Sequence, residues 1–226
     1  MKKIRADWPD AKPDPGATAS FLKSLRTQSD QDACAAVVEA LNDGVSPSAI
    51  WDALLASSAE MLMRKTSIVT LHAVTSSNAL RFAYETAADP QLRLTLLLQN
   101  AAFVTLFRNA AGKPNDKQLD AMEPAEAPKD AAEIFATRDR PAAAAKALAY
   151  LKDPARANEL ITHARRMVFL KGNDAHDYKF SSAVLEDYYH LAPQWRDRYL
   201  ATALYYLPTA QSPDTPLVSR IRAALA

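Results

Sequence analysis

At 226 residues, with 49% apolar and 23% charged side chains, the chain can bury a real core and is not disordered in bulk. A net charge of +1, with basic residues spread along the whole length, argues against a nucleic-acid footprint. Only four glycines are present, about a quarter of average usage, which excludes glycine-rich phosphate cradles; one cysteine excludes an internal disulfide framework and a cysteine-cluster metal site.

Residues 1–16 are charged and proline-bearing without an apolar leader-like run, so they are expected to form a flexible tail. Residues 17–226 read as one all-helical domain. Ser29 precedes Cys34, Val37, Val38 and Leu41 at i, i+3, i+4 and i+7, a helix stopped at Asn42-Asp43-Gly44. Ser46-Pro47 opens a helix to about Arg64, and another runs from about Ser67 to Thr86. Asp89-Pro90 opens a third to about Asn109, and Asp153-Pro154 a fourth that stops at Gly172. In each such pair the side-chain oxygen can accept an orphan N–H, while proline sits in the first turn where its missing donor does no harm.

The stretch from Leu92 to Phe107 is apolar nearly all round and is expected to be the central helix of a bundle. Residues 110–130 change to Gly, Pro, Asn, Asp and Glu around a short helix at Lys117–Met122, a long surface loop. Further helices are expected over about Pro141–Leu151, Asp174–Leu191, Gln194–Tyr206 and Pro213–Leu225. Alternating strand patterns are absent, so the fold class is all-α, a multi-helix bundle of about ten helices. No run of 18 apolar residues occurs; no membrane insertion and a reducing, cytoplasmic location are expected.

With no glycine loop and no cysteine cluster, the chemical candidates are the histidines and their carboxylate neighbours. His72 shares a helical face with Ile68, Thr75, Ala79 and Ala83, with Thr70, Ser77, Arg81 and Glu85 opposite, so it is expected to face inward beside Thr75 and Ser76. His176, Phe180, Ala183, Asp187 and His190 fall at i, i+4, i+7, i+11 and i+14, one stripe in which histidines and a carboxylate share an apolar face. Such a face is costly unless its polar groups are paired or used. Asp187 and His190 are close enough to touch, and Lys179 and Phe180 would line the same pocket. The candidate site is therefore His72, His176, Asp187 and His190 as acid–base or metal-binding groups, with Thr75, Ser76, Lys179 and Phe180 on the substrate. His163, beside Arg165 and Arg166, reads as a boundary histidine, and Cys34 as an inert thiol.

Leu71-His72-Ala73-Val74-Thr75-Ser76-Ser77-Asn78-Ala79-Leu80 and Gly172-Asn173-Asp174-Ala175-His176-Asp177-Tyr178-Lys179-Phe180-Ser181-Ser182-Ala183 look like blocks of a group of bacterial helical proteins. More remotely, a mid-helix histidine followed by small residues and an aromatic resembles the questin-oxidase-like family. That resemblance implies oxidation of an aromatic substrate with a reduced nicotinamide such as NADPH as electron source. Two readings follow. One is an oxidoreductase-like enzyme with a histidine-lined pocket between helices, acting on a small organic substrate with a transition metal or NADPH. The other is a non-catalytic helical protein, a homo-oligomer or partner subunit, whose histidines are structural. No nucleic-acid partner is expected in either.

Overall fold

The computed structural model describes residues 4–12, 14–112 and 115–226. Among them are eleven α-helices and no strand: α1 (Pro15–Leu25), α2 (Asp30–Asn42), α3 (Pro47–Arg64), α4 (Ile68–Thr86), α5 (Pro90–Ala110), α6 (Ala131–Ala136), α7 (Arg140–Tyr150), α8 (Ala157–Lys171), α9 (Ala175–Asp187), α10 (Pro193–Thr202) and α11 (Pro216–Leu225). The all-α expectation is met. The chain divides into two compact units, residues 1–120 and 121–226, and the division falls inside the segment expected to be a long loop.

Helix starts follow the predicted punctuation closely, except that Asp153-Pro154 opens a 3₁₀ turn (Pro154–Arg156) and α8 starts at Ala157 without a side-chain cap. The side chains of Asp14, Ser29, Ser46, Ser67, Asp89, Asp130, Asp139 and Asp174 each accept a backbone N–H from the first turn of the helix they precede. Each such cap contributes about 1 kcal/mol. Asp14-Pro15 opens α1 by the same device, with Gly16 N–H 2.8 Å from Asp14 Oδ1, in a region expected to be a tail. That expectation is also corrected for residues 4–12. Trp8 is buried within a 3₁₀ turn at Trp8–Asp10, and Arg5 N–H donates to Asn42 Oδ1 at 3.0 Å. The indole is buried while Arg5, Asp7, Asp10 and Lys12 stay exposed, so the segment docks without desolvating a charge.

In unit 1, α3 packs against α1, α4 and α5, and α5 against α2 and α4. Every residue of α3 from Ala49 to Met63 is buried, so α3, not the expected α5, is the most enclosed helix. α5 buries one face, made by Leu94, Leu97, Asn100, Ala101, Val104 and Thr105, and leaves Leu92 and Leu106 exposed. The polar residues Asp52, Ser57, Ser58 and Glu60 hid the enclosure of α3 from its periodicity. Ser58 donates to Leu55 O at 2.8 Å. Glu60 is tied down as a carboxylate: it accepts from Arg26 Nε (3.0 Å) and Nη2 (2.7 Å), lies 2.6 Å from Arg64 Nη2, and accepts Leu119 N–H at 2.8 Å. The last of these bonds explains a further difference. Residues 117–122 form no helix, because Leu119 is fully buried with its N–H committed to Glu60, and Lys117 N–H is taken by Asn115 Oδ1.

Cationic side chains repeatedly close helix C-termini, where the last carbonyls lack partners. In unit 1, Arg108 reaches Leu25 O and Gln28 O at the end of α1, and Lys65 Nζ donates to Ala111 O at 2.7 Å after α5. Gly44, at φ 85°, supplies the left-handed residue that ends α2.

In unit 2, α6 packs on α7 and α8, α9 on α8 and α10, and α10 on α7. Arg140 donates to Leu204 O (2.9 Å) and Leu207 O (2.5 Å) around a 3₁₀ turn at Ala203–Tyr205. Lys171 Nζ donates to Ser212 O at 2.5 Å, and Thr215 N–H to Leu170 O at 2.7 Å, fixing the start of α11 against the end of α8. Gly172 is needed for close approach: a Cβ there would stand 2.7 Å from Val168 O. No helix among the described residues is long and apolar enough to cross a membrane.

Candidate functional site

α4 presents Thr70, Leu71, Ala73, Val74, Ser77, Arg81 and Tyr84 to the interior of unit 1. His72 faces solvent, with Ile68 and Phe82 exposed on the same side. The helix is thus turned by about half a revolution from the expected orientation. The cause is that its polar residues find partners inside. Thr70 completes a capping box with Ser67 and donates to Lys65 O at 2.7 Å. Ser77 Oγ donates to Asn100 Oδ1 of α5 at 3.0 Å, and Arg81 pairs with Glu85 at 3.0 Å. Tyr84 meets Trp51 of α3 edge-on with ring centroids 5.3 Å apart, and Arg93 lies 4.4 Å over its ring. Thr75 spends its hydroxyl on Leu71 O at 3.3 Å, within the helix, and Ser76 is half-buried.

The α9 stripe is partly as expected. Phe180, Ala183 and Asp187 are buried, with Phe180 packed 4.9 Å from the Tyr206 ring. His176, however, sits in the first turn and is 40% exposed, its Nδ1 3.4 Å from Oδ1 of Asp174. α9 ends at Asp187, so His190 lies beyond the helix in a turn closed by its N–H to Asp187 O at 2.9 Å, and its ring is exposed. Asp187, fully buried, accepts the Tyr199 hydroxyl at 2.7 Å. Lys179 is exposed. Among the described residues, no three His, Cys, Asp or Glu side chains are grouped to hold a metal ion. His163 is a boundary residue stacked on Phe135 at 5.0 Å; burial, aided by Arg166, pushes its pKa below the ordinary 6.5.

Two grooves do have the form of binding sites. In unit 1, a groove of about 850 Å³ opens between the residue 4–8 segment, α2 and α5. Trp8, Cys34, Val38, Leu94 and Leu98 make its apolar wall, and Arg5, Glu39 and Gln91 stand among its polar lining. Its origin is visible in α2. Ala33, Val37 and Leu41 are buried, whereas Cys34 and Val38, one step round the helix, are only half-covered. Opposite them Leu94 is buried and Leu98 half-buried on α5. Cys34 leans across the floor, its thiol donating to Leu98 O at 3.4 Å. Burial, then the charge of Asp30, raises its pKa, so the thiol stays protonated at neutral pH.

Arg5 is held by Asp7 through Nε and Nη2, both at 2.6 Å, and that cation pulls the Asp7 carboxyl down to about 2. The charge is therefore spent within the chain. A reduced nicotinamide, which the family resemblance implies, carries phosphates that need free cations or clustered N–H groups, and this groove does not fit it.

The second groove, about 370 Å³, lies in unit 2 between α8 and α9, lined by Arg165, Phe169, Tyr178, Ser181, Leu185 and Glu186 among others. Phe169 and Tyr178 stack across it at 6.1 Å. Neither groove is lined by a histidine, by Asp187, or by Thr75, Ser76, Lys179 or Phe180.

The unit 1 groove was missed from sequence, although two signals pointed to it. Trp8 is a lone indole in a charged, proline-bearing stretch, which calls for a packing partner. The apolar arc of α2, from Ala33 round to Val38, is wider than one neighbouring helix can cover.

No protein-family model, curated protein or solved structure matches this chain.

Proposed function

We propose that the chain is a binding protein, and that unit 1 takes a small, largely apolar organic molecule in the groove between the Trp8 segment, α2 and α5. The observation that carries this reading is the groove itself: about 850 Å³, with an indole, a valine and two leucines on its walls and few polar groups among them. Ligand sites of roughly 300–1,000 Å³ have this make-up, an apolar lining with a few polar groups that set orientation. Gln91 and Glu39 supply those groups, and the largely buried Trp8 adds to the apolar lining. The acid–base role expected of His72 and His190 is not part of the proposal, since both rings face solvent and Asp187 serves Tyr199.

The test is a fluorescence titration with 1-anilinonaphthalene-8-sulfonate, an apolar aromatic probe. Saturable enhancement is expected for the wild-type chain, at least tenfold weaker binding in Val38→Glu and Leu98→Glu, and no change in Leu106→Glu, whose side chain is exposed outside the groove. Equal enhancement in all four proteins would overturn the assignment.

A further inference from the structure

α11 leaves most of its apolar side chains uncovered. α11 buries only Val218, while Leu217, Ile221 and Leu225 are 48%, 57% and 83% exposed. At about 100° per residue these three, with Ala224 and Val218, occupy one continuous arc of roughly a third of the helix surface. Arg220 borders the arc on one side and Arg222 on the other, and the helix contains no acidic residue. Isolated exposed leucines are ordinary, but an i, i+4, i+8 row framed by arginines is not.

The same pattern recurs at the helix to which α11 is tied. Thr215 N–H binds Leu170 O at 2.7 Å, and one residue before Leu170 stands Phe169, 66% exposed, with Arg165 and Arg166 on either side of it around α8. Asp214, the carboxylate nearest the start of α11, is held 3.1 Å from Lys171 and 4.0 Å from Arg222. The exposed apolar side chains are therefore bordered mainly by cations, with Glu186 near Phe169 and Asp214 before α11 as the carboxylates beside them.

We infer that this face of unit 2 adsorbs to an anionic lipid surface, α11 lying in the interfacial plane with Leu217, Ile221 and Leu225 among the acyl chains and Arg220 and Arg222 at the headgroup phosphates. An apolar stripe flanked by arginines is what interfacial helices present. Charge complementarity decides the occupant. A second copy of the chain would bring two arginine-bordered, acid-free helices together, and like charges repel. An anionic bilayer instead attracts each cation by roughly fivefold in partitioning. The interaction is peripheral and needs no spanning helix.

The experiment is co-sedimentation of the full chain with vesicles of phosphatidylcholine and phosphatidylserine, against vesicles of phosphatidylcholine alone. Binding to the anionic vesicles is expected, several-fold weaker at 0.5 M salt because surface charges are then screened. Arg220→Gln/Arg222→Gln should weaken it about thirtyfold, and Ile221→Glu should abolish it. Both variants sit on exposed positions, and an unchanged circular-dichroism melt verifies that they fold. Equal sedimentation with neutral and anionic vesicles, or anionic binding indifferent to Ile221→Glu, would overturn the inference. So would a concentration-dependent dimer that Ile221→Glu dissociates, which assigns the face to a second copy.

Discussion

Replacing Glu60 by alanine removes the carboxylate on which the most enclosed helix of unit 1 depends. Its side chain is 3% exposed and meets two guanidinium groups, each 12% exposed, and the buried N–H of Leu119. Truncating one member of a buried ion pair costs about 3–5 kcal/mol, because the surviving charge is left in a poorly solvated place. Here the lower end applies. Arg26 keeps Asp120 at 2.6 Å and Gln118 at 3.2 Å, and Arg64 keeps Lys117 O at 2.6 Å. With a urea dependence of about 2 kcal/mol per molar, a loss of about 3 kcal/mol moves the unfolding midpoint down by about 1.5 M. Tryptophan fluorescence reads this directly, since Trp51 lies in the same helix. Asp120→Ala, at a carboxylate 41% exposed, should cost only about 0.5 kcal/mol. A Glu60→Ala midpoint no lower than that of Asp120→Ala would refute the reasoning.

Three further outcomes follow from buried polar groups. Asn100→Ala alone should destabilise unit 1 by about 1–2 kcal/mol, by stranding the Ser77 hydroxyl, whereas Ser77→Ala/Asn100→Ala should be nearly neutral, the Asn100 amide nitrogen having no partner now; a double-mutant cycle in urea checks this, and additive losses would contradict it. His163 should titrate below 6.5 by NMR, since burial and Arg166 disfavour its cation. The unfolded chain then binds more protons below that pH, so this group's contribution to stability falls as pH drops from 6.5 toward the folded value; a midpoint at or above 6.5 contradicts the placement. Tyr150 is buried and faces Glu159, which push its phenol from 10.0 up to about 12. Its neutral form favours the fold, so that contribution is complete below pH 10 and is lost as pH rises through about 12. Absorbance at 295 nm should show a tyrosine step near pH 12 that is lost in Tyr150→Phe, and an unchanged step would contradict the placement.

Helix starts were the most legible feature because capping is local: an Asp or Ser oxygen, a proline and the first turn lie within four residues. Asp139-Arg140-Pro141 and Asp14-Pro15 obey the same rule as Asp89-Pro90. What the pattern could not supply was the orientation of a helix whose inner face is polar. Thr70, Ser77 and Arg81 look like a solvated side of α4 until their partners on the Lys65–Ser67 turn and α5, and Glu85 within α4, are known, and those pairings place His72 outside. The enclosure of α3 is hidden for the same reason, because Glu60 reads as exposed without Arg26, thirty-four residues away. In α9 the buried stripe through Phe180, Ala183 and Asp187 was legible, but the end of the helix at Asp187 was not, and it moves His190 off the stripe. The groove belongs to the non-local class altogether, since its walls come from residues 4–8, α2 and α5.

Cys34 offers the most direct measurement of the binding proposal, because it is the chain's single cysteine and sits within the groove. Its raised pKa predicts slow alkylation by iodoacetamide at pH 7. Saturating 1-anilinonaphthalene-8-sulfonate should slow that reaction at least fivefold, in step with the fluorescence titration. Alkylation at an unchanged rate while the probe is bound would contradict the account.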